Sequence, residues 1–579
     1  MKAPPGASGS KSVNAHSSET PAEASCCPVT RQRWADRSES LAAALVLLPF
    51  AIVCLATAGF ATGFGIQTWY GPVAVGISLA FLCYGARRQP AEAVLRGGML
   101  LGSVVIALCL GGLWGDLSFD SINYHQPCGA ELRHGWNPWA EPSPGVFASD
   151  NIWVNHYPQA SWINAAAATL VTGRIDTGKW INFVLAASAA LAVFALLLRA
   201  TRVKRGMAAL LALLVAANPV TLCQIHTFYL DGTLGAAVTV FIAGLWFIIG
   251  LRRRSGWWLA APALLLLINL KHTGVAYAVL LCATAVLAEG WSAGWQKAGK
   301  LGFALFALGI AGVGFLGYAP YVKNLRAGLH IFHPVLGVKM MDDFMGVRMT
   351  PNLPTNRVGA FFVSHFARAD YPDHVARPAV SKFPFAISIN ECRPWDSPDV
   401  KTGGFGPLYG ALMILSAGGA VALALSRRRA RLGVALIAGA GLGIGIFCHD
   451  QAWWARYAPQ AWLLVWIVPV VALDLPGRAW VIWRGCVLFL GVVNCGIVLI
   501  GSTAGQRSFS TRLDRVLTQA AEALPVALQV RRFPILAERF RERGIPFVML
   551  EGDAAQGVVR HPIIGEDPEC YWIKVPAAK

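Results

Sequence analysis

The sequence has few charged residues and lacks the motifs by which soluble proteins commonly bind zinc or nucleotides. Asp, Glu, Lys and Arg make up 14% of its 579 residues, whereas 55% are hydrophobic. There is no CxxC pair, no His/Cys spacing typical of zinc, and no phosphate-binding Walker loop or Rossmann unit. This composition is far from that of an ordinary soluble domain and predicts a membrane protein.

The cysteines and the excess of basic residues both agree with a membrane chain. Cysteines such as Cys54, Cys109 and Cys495 lie inside apolar runs, where they act as small hydrophobic residues. The formal net charge of +18 comes mostly from short clusters of Lys and Arg between apolar runs, which predicts membrane topology and no nucleic-acid partner. Residues 1–38 lack the pattern of a cleaved signal peptide, and we expect a disordered cytoplasmic tail there.

Hydrophobic runs of about 17–25 residues recur along the chain, which is the length of a helix that crosses a membrane. We predict an all-α polytopic membrane domain over residues 39–502 with about thirteen transmembrane helices. The predicted spans are 41–62, 69–86, 96–114, 178–198, 206–223, 231–251, 256–270, 274–290, 301–319, 405–426, 432–448, 461–475 and 484–502. Residues 503–579 alternate helix-like and strand-like stretches, which predicts a small extracytoplasmic α/β domain.

Basic clusters occupy alternate connections, which places those connections and the N-terminus in the cytoplasm. The segments predicted outside are 114–177, 224–230, 271–273, 320–404, 449–460 and the C-terminal domain. We therefore expect a multi-pass protein of the bacterial inner, or plasma, membrane whose site faces outside. Cys128 and Cys392 both lie outside in this arrangement, and spacing alone leaves a disulfide between them open.

The stretch GDLSFDSINYHQP, residues 115–127, follows the third predicted span and places two carboxylates at the outer membrane edge. Partial desolvation raises the basicity of a carboxylate there, which suits Asp120 to general-base catalysis. The alternative is that Asp120 caps the helix that follows. Asp116 is predicted to be a helix-exit residue or a second carboxylate of the site, and Tyr124 and His125 lie beside it.

Farther along the same segment, His156 and Tyr157 directly precede the stretch PQASW and are candidate pocket residues. The tryptophans nearby suit either an interfacial belt or a sugar, whose apolar face stacks on indole. Asp231 follows in the turn TFYLDG at the outer end of the sixth span. Asp231 is predicted either to cap that helix or to accept a hydrogen bond within the site.

Cations recur on the same predicted face. Lys271 and His272 occupy the tight connection NLKHTG, where Lys271 either extends to the interface or binds phosphate. The remaining candidates are two cations one helical turn apart and a basic–aromatic pair: Lys323, Arg326, Arg456 and Tyr457. Each cation can anchor the chain at the interface, and together they can bind a phosphate group.

In the order and topology of these motifs, the sequence resembles the GT-C superfamily of integral-membrane glycosyltransferases, in particular its bacterial PMT-like, family 39-like members. The resemblance covers about residues 96–475 and rests on DSINYH, LKHTG, PYVKNLRAG, WARYAPQ and GGFGPLYG. Two departures stand out. The loop with Asp120 follows the third predicted span, whereas better-studied members have it after the first, and Lys323 stands at the usual arginine position.

The resemblance implies an inverting glycosyltransferase that moves a sugar from a polyprenyl-phosphate donor to a glycan, lipid or protein acceptor at the outer membrane face. Asp120 would accept the proton of the acceptor hydroxyl as that hydroxyl attacks the anomeric carbon. The donor phosphate would meet Lys271, Arg456 and a cation of PYVKNLRAG, whose charges stabilise the leaving phosphate. The sugar, the acceptor and the participation of a divalent cation stay open, and no other cofactor is implied.

Three alternatives stay open as well: a transporter or flippase, an O-antigen ligase or polymerase, and a sensor or scaffold. A transporter or flippase of a lipid-linked or anionic substrate predicts charges within its spans, whereas 41–62 and 432–447 have none. It also predicts an internal repeat of the kind found in many transporters, and the halves show no convincing one. An O-antigen ligase or polymerase would depend on arginines of a long loop, and a sensor or scaffold leaves the order of motifs unexplained.

Overall fold

The chain folds almost entirely into α-helices in the computed structural model, with one small sheet near the C-terminus. The structure describes residues 28–144, 151–337, 350–369, 377–395, 397–426, 428–531, 533–550, 558–564 and 569–575. The predicted N-terminal tail lies outside these residues up to position 27. The helices are α1 Pro28–Ala61, α2 Tyr70–Gly85, α3 Pro90–Gly111, α4 Gln126–Arg133, α5 Asn151–His156, α6 Ala160–Thr172, α7 Trp180–Ala200, α8 Arg205–Ala216, α9 Pro219–Gln224, α10 Asp231–Ile249, α11 Trp257–Leu270, α12 His272–Ala293, α13 Trp295–Ala311, α14 Lys323–Arg326, α15 Arg357–His365, α16 Tyr409–Leu425, α17 Arg429–Phe447, α18 Ala461–Val471, α19 Arg478–Glu522 and α20 Ile535–Glu542.

Eight helical segments in the described part of the chain are long and apolar enough to cross a membrane. They are Val29–Ala61, Pro90–Gly111, Ile175–Ala200, Asp231–Ile249, His272–Ala293, Trp295–Leu316, Arg429–Phe447 and Arg478–Glu522. Shorter apolar helices of 10–17 residues are Tyr70–Gly85, Arg205–Ala216, Tyr409–Leu425 and Ala461–Val471. A helix of about 20 apolar residues matches the hydrocarbon core of a bilayer. The architecture is therefore that of an all-α membrane protein, as the sequence predicts.

Arginines from separate connections hold one end of the helix bundle together. Arg31, near the start of α1, donates to the carbonyl oxygens of Leu198 (2.9 Å) and Thr201 (2.8 Å) at the end of α7. Arg37 pairs with Glu92 of α3 through contacts of 2.8 and 2.7 Å. We call this the arginine-rich end; its members are Arg31, Arg37, Arg199 and Arg253. Several of the predicted cytoplasmic connections thus meet at one end of the bundle.

Helices α10 and α11 lie very close together because small residues line their contact. A Cβ added at Gly244 would lie 2.6 Å from the amide nitrogen of Ala260, and one at Gly256 would lie 2.6 Å from the carbonyl oxygen of Gly244. Small residues permit such an approach of helices within a membrane. The close contact lies at the end of α10 and the start of α11. At the other end of this antiparallel pair, Asp231 forms an ion pair with Lys271.

The last apolar helix does not end where the sequence predicts. α19 has 45 residues, about 68 Å at 1.5 Å per residue, and continues through the predicted domain boundary at residues 502–503. Residues 506–522 contain no glycine or proline and include many good helix formers. The continuation is therefore favourable, and the predicted boundary falls within a helix.

The residues after α19 form a four-stranded sheet of order β2-β1-β4-β3. The strands are β1 Val526–Val530, β2 Phe547–Met549, β3 His561–Pro562 and β4 Cys570–Lys574. β1 pairs in parallel with β2 and antiparallel with β4, and β3 pairs antiparallel with β4. Leu536 and Phe540 of α20 belong to the same buried core as Leu117, Ile122 and Phe228. The C-terminal segment is therefore packed against the loop that carries Asp120.

We predict that Gly244→Val lowers the thermal midpoint of the purified protein by several degrees, because a larger side chain separates α10 from α11 at a cost of about 1–3 kcal/mol. Gly309→Val is the matched control, since a Cβ at Gly309 of α13 meets nothing within 4 Å. The measurement is thermal unfolding of both variants in one detergent. Equal midpoints would show that the α10–α11 contact does not limit stability.

Candidate active site

Three carboxylates and two cations meet at the end of the bundle away from the arginine-rich end. We call this group the Asp120 cluster; its members are Asp120, Asp231, Lys271, Asp399 and Arg456. Each comes from a different connection, and Asp120 and Arg456 are 336 residues apart in the chain. α10 runs from the cluster toward the basic connection that contains Arg253, so the two groups lie at opposite ends of that helix. Distant parts of the sequence therefore form one site.

Arg456 is the centre of the cluster. Its Nη2 lies 2.9 Å from Oδ2 of Asp120, and its Nη1 lies 2.5 Å from Oδ1 of Asp399. Its Nε lies 3.7 Å from Oδ2 of Asp231, which also forms an ion pair with Lys271. Arg456 and the three carboxylates are buried. A planar, permanently charged guanidinium can contact several carboxylates at once, which a lysine ammonium at this place could not do with the same geometry.

Aromatic rings surround the two cations. The guanidinium carbon of Arg456 lies 5.0 Å from the ring centres of Tyr229 and Trp454, and 5.1 Å from that of Tyr457. The ammonium of Lys271 lies 4.6 Å from the ring centre of Tyr457. Such distances permit cation–π attraction, which is stronger where water is excluded. The rings therefore stabilise the charges and give the site apolar faces.

The cluster concentrates charges at a buried position. Three carboxylates and two cations lie in contact there. Desolvation of charges costs free energy that their mutual attraction often does not recover. A buried group of this many charges is thus a poor device for stability. It is typical of sites where charges bind or transform a ligand.

Asp120 does not cap the helical turn that follows it. Its side chain makes no capping hydrogen bond to residues Ser121–His125, and its Oδ2 contacts Arg456 instead. The described residues provide no hydrogen-bond partner for Oδ1, and the side chain keeps 10% exposure. The backbone N–H of Asp120 donates to the hydroxyl of Tyr229 at 3.4 Å. One carboxylate oxygen is therefore held by Arg456, and the other is left available for a ligand.

The contacts of Asp231 and Lys271 also bear on the alternatives that the sequence leaves open for them. The side chain of Asp231, the first residue of α10, makes no cap; its Oδ2 accepts from Nε2 of Gln224 at 3.3 Å. Gln224 also binds the backbone N–H of Gly232 at 2.8 Å. Lys271 keeps only 12% exposure of its side chain, so its ammonium does not extend freely into solvent. Both residues belong to the site rather than to its surroundings.

Asp116 shapes the loop through hydrogen bonds, which agrees with its predicted role as a helix-exit or hydrogen-bonding residue rather than as a second carboxylate of the site. It is fully buried. Its Oδ1 accepts from the backbone N–H (2.9 Å) and hydroxyl (2.6 Å) of Ser118, and its Oδ2 accepts from the N–H of Phe228 (2.8 Å). These bonds occupy both oxygens. Asp116 therefore ties the Asp120 loop to the turn that carries Tyr229.

His125 and three tyrosines next to the cluster keep their neutral forms. Burial, followed by the charges of Lys271 and Arg456, lowers the pKa of His125 well below its usual value. Nε1 of Trp162 donates to Nδ1 of His125 at 2.8 Å, which fits a neutral ring. Burial first, and then neighbouring carboxylates, raise the pKa values of the tyrosines well above the usual value; they are Tyr124, Tyr157 and Tyr229. Their hydroxyls can therefore donate hydrogen bonds at neutral pH.

His156, Tyr157 and His272 form a wall beside the cluster. Nε2 of His272 lies 2.7 Å from the carbonyl oxygen of His156. The ring of Tyr157 lies 6.0 Å from that of His125 and 5.9 Å from that of His272, both nearly edge to face. The structure thus brings these predicted pocket residues together.

Lys323 and Arg326 are placed elsewhere. The ammonium of Lys323 donates to the carbonyl oxygen of Pro138 at 2.7 Å, and burial lowers its pKa. Arg326 is exposed and contacts the hydroxyl and ring of Tyr318. Within the described residues, neither cation contacts a member of the Asp120 cluster. The contacts therefore do not support the predicted place of Lys323 and Arg326 in a phosphate site formed with Lys271.

The C-terminal segment supports the loop of the site. Arg539 of α20 is buried and contacts both carboxylate oxygens of Asp176 at 2.5 and 3.0 Å. Its Nη2 also donates to Oε1 of Gln126 at 2.7 Å, and Nε2 of Gln126 donates to the carbonyl oxygen of Asp116 at 2.8 Å. Arg539 is thus connected to the Asp120 loop by a short chain of hydrogen bonds.

Sequence reasoning missed several residues of the site. Asp399 lies in the long segment 320–404, where many polar residues give no reason to select one. Tyr229 and Trp454 lie within the stretches TFYLDG and HDQAWWARYAPQ, which were selected for other residues. The sequence feature that could have identified Tyr229 and Trp454 is that each lies two residues before a candidate charged residue, Asp231 or Arg456. No such feature marks Gln224, at the end of α9.

A metal ion and a disulfide also stayed open in the sequence. The described residues include no group of three or more His, Cys, Asp or Glu side chains that could hold a metal ion. In the Asp120 cluster the carboxylates contact Arg456 and Lys271, so the positive charge next to them comes from these two side chains. Cys128 is buried and Cys392 is exposed, and no disulfide joins the two described thiols.

In comparisons with known proteins, no family model and no curated protein matches the chain. The class of protein is therefore defined by fold and site alone. It is a polytopic helical membrane protein with a buried group of carboxylates and cations at one end of the bundle.

We predict that Arg539→Ala lowers stability by about 3–5 kcal/mol, because it leaves the buried Asp176 with one cationic partner fewer. Arg541→Ala is the matched control, since Arg541 of the same helix is 58% exposed and pairs only with Glu538 among the described residues. The measurement is denaturant unfolding together with limited proteolysis of the C-terminal segment. If both variants were cleaved at the rate of the unmodified protein, the supporting role of Arg539 would be wrong.

Proposed function

We propose that the chain is an inverting membrane glycosyltransferase that moves a sugar from a polyprenyl-phosphate donor to a glycan, lipid or protein acceptor. One observation carries the proposal. A partly accessible carboxylate, Asp120, lies beside two cations, Arg456 and Lys271, at one end of a bundle of apolar helices. Transfer from a lipid phosphate needs a base for the acceptor and positive charge for the leaving group. The cluster offers both at the end of the apolar helices, where we expect a lipid headgroup to lie.

The proposed topology has thirteen spans, a cytoplasmic N-terminus and the Asp120 cluster outside, in a bacterial plasma membrane. Support comes from the separation of the two groups of charges. The arginine-rich end collects basic connections, which favour the cytoplasm. The cluster lies at the other end of α10, so it faces the extracytoplasmic side, and the C-terminal segment packed against its loop lies on that side too.

The proposed reaction is a single displacement at the anomeric carbon. The acceptor hydroxyl oxygen forms a bond to that carbon from the face opposite the phosphate, which inverts its configuration. The bond between the carbon and the phosphate oxygen breaks, and its electron pair leaves with the polyprenyl phosphate. The hydroxyl proton passes to Oδ1 of Asp120, the oxygen that has no partner among the described residues. No metal is required for this balance.

Arg456 and Lys271 stabilise the leaving phosphate in this proposal. The phosphate gains negative charge as the bond breaks, so positioned cations bind the transition state more strongly than the ground state. Both cations contact carboxylates. The donor phosphate would exchange with these carboxylates, and loss of the Arg456 contact would leave Asp120 able to accept a proton.

The rings around the cluster suit a sugar. The faces of Tyr229, Trp454 and Tyr457 contact the guanidinium of Arg456, so the apolar side of a sugar can stack on them only after that guanidinium moves. The protonated hydroxyls of Tyr124 and Tyr157 can donate to sugar oxygens. A transporter is less well supported, because α17 between residues 432 and 447 contains no charged residue and the buried charge cluster lies at a helix end.

We predict that Asp120→Asn reduces transfer by about 10²–10⁴-fold, because the base is lost. Stability should change little, since asparagine has the shape of aspartate and its amide oxygen can still accept from Arg456. Asp450→Asn is the control, because Asp450 is 68% exposed and pairs with the exposed Arg357. The measurement is transfer from a panel of radiolabelled polyprenyl-phosphate hexoses and pentoses in membranes. Unchanged transfer by Asp120→Asn would reject Asp120 as the base.

We predict that Lys271→Met raises the KM for the donor about tenfold or more, because one charge-assisted contact to phosphate is lost. The exposed Lys300, near the other end of the bundle, provides the control Lys300→Met. Initial rates measured against donor concentration, at one acceptor concentration, give kcat and the KM for the donor. A fall in kcat with an unaltered KM would contradict a role for Lys271 in donor binding.

A further inference from the structure

A polar cavity opens at the arginine-rich end, at the opposite end of the bundle from the Asp120 cluster. Its volume is about 650 Å³. It lies between the first turns of α1, the connection from α2 to α3, and the start of α11. Five arginines and three carboxylates contribute to its lining. Cavities of this size hold small molecules or headgroups of lipids.

The carboxylates of the cavity already have arginine partners. Glu92 accepts from Nε of Arg37 and from Nε of Arg96, both at 2.8 Å. Asp36 and Glu39 both pair with Arg199, at 2.5 and 2.6 Å. These ion pairs hold α1, α3 and α7 together. Arg253 lies 3.7 Å from Glu39, so three guanidiniums of the cavity have no carboxylate partner among the described residues.

Arg33, Arg87 and Arg88 supply that uncompensated charge. All three line the cavity and are exposed, and the described residues include no carboxylate paired with any of them. Deeper in the lining, Nε of Arg253 and Oγ of Ser255 are buried without a hydrogen-bond partner in the described residues. Buried donors are normally satisfied. The cavity therefore presents both positive charge and unused donors to an anion.

Aromatic side chains place the mouth of the cavity at the level of lipid headgroups. Trp258 is 53% exposed, and its ring centre lies 5.0 Å from that of Phe81. Tyr84 is 70% exposed, and the guanidinium of Arg87 lies 4.4 Å from its ring centre. Exposed tryptophan and tyrosine at the end of apolar helices are typical of the membrane–water interface.

We propose that this cavity binds the phosphate headgroup of an anionic phospholipid from the leaflet at the arginine-rich end. Arg33, Arg87 and Arg88 contact the phosphate oxygens, for which guanidinium is well suited. The acyl chains leave the cavity beside Phe81 and Trp258. Basic cavities between membrane helices recognise anionic headgroups in this way. The site is separate from the proposed transferase site and does not depend on it.

The test uses the full-length protein purified in detergent, with retained lipid measured by native mass spectrometry. Phosphatidylglycerol should bind in preference to phosphatidylcholine and raise the thermal midpoint. The double variant Arg33→Ala with Arg88→Ala should bind phosphatidylglycerol roughly 30-fold more weakly. The matched control is Arg428→Ala with Arg429→Ala, which removes the same charge from two exposed arginines at the same end. The control should bind like the unmodified protein.

Two results would overturn the proposal. Equal affinity of the double variant and the unmodified protein for phosphatidylglycerol would show that the cavity is not the lipid site. Inorganic phosphate at 10 mM should fail to displace the lipid or to raise the midpoint. If inorganic phosphate displaced the lipid, or raised the thermal midpoint as much as the lipid does, the cavity would be a site for free phosphate and the proposed lipid ligand would be wrong.

Discussion

The contact of one guanidinium with carboxylates from separate connections is the constraint on which the site depends. Arg456 binds Asp120 and Asp399 directly and lies within 3.7 Å of Asp231. A buried arginine cannot lose its proton, so the carboxylates must reach it. The loops that carry them are thus required to converge at one end of the bundle. Removal of Arg456 would leave several buried carboxylates with Lys271 as the only cation of the cluster.

The rest of the fold makes this convergence possible. α10 and the residue after α11 meet at the cluster, where Asp231 pairs with Lys271. Asp116 ties the Asp120 loop to the turn before α10, and the C-terminal segment supports that loop through Arg539. At the other end of the bundle, ion pairs of arginines join α1, α3 and α7. Both ends of the bundle are therefore organised by arginine, one through the ion pairs of the Asp120 cluster and the other through ion pairs that join helices.

The membrane helices were predictable because apolar length is a local property of the sequence. Asp120, Lys271 and Arg456 were selected because an isolated charge beside an apolar run is conspicuous. Asp399 was not, since its place depends on a contact 57 residues away in a segment with many polar residues. Local patterns contain no such information. The continuation of α19 past residue 502 was missed for a different reason: the apolar run ends there, although residues 506–522 are good helix formers.

An experimental structure of the protein in a lipid nanodisc with a polyprenyl phosphate bound would test the central claim most directly. The account predicts that the phosphate lies within hydrogen-bond distance of Arg456 and Lys271, and that Arg456 has left the Oδ2 of Asp120. A phosphate bound at a different place, with the contact between Arg456 and Asp120 intact, would contradict it.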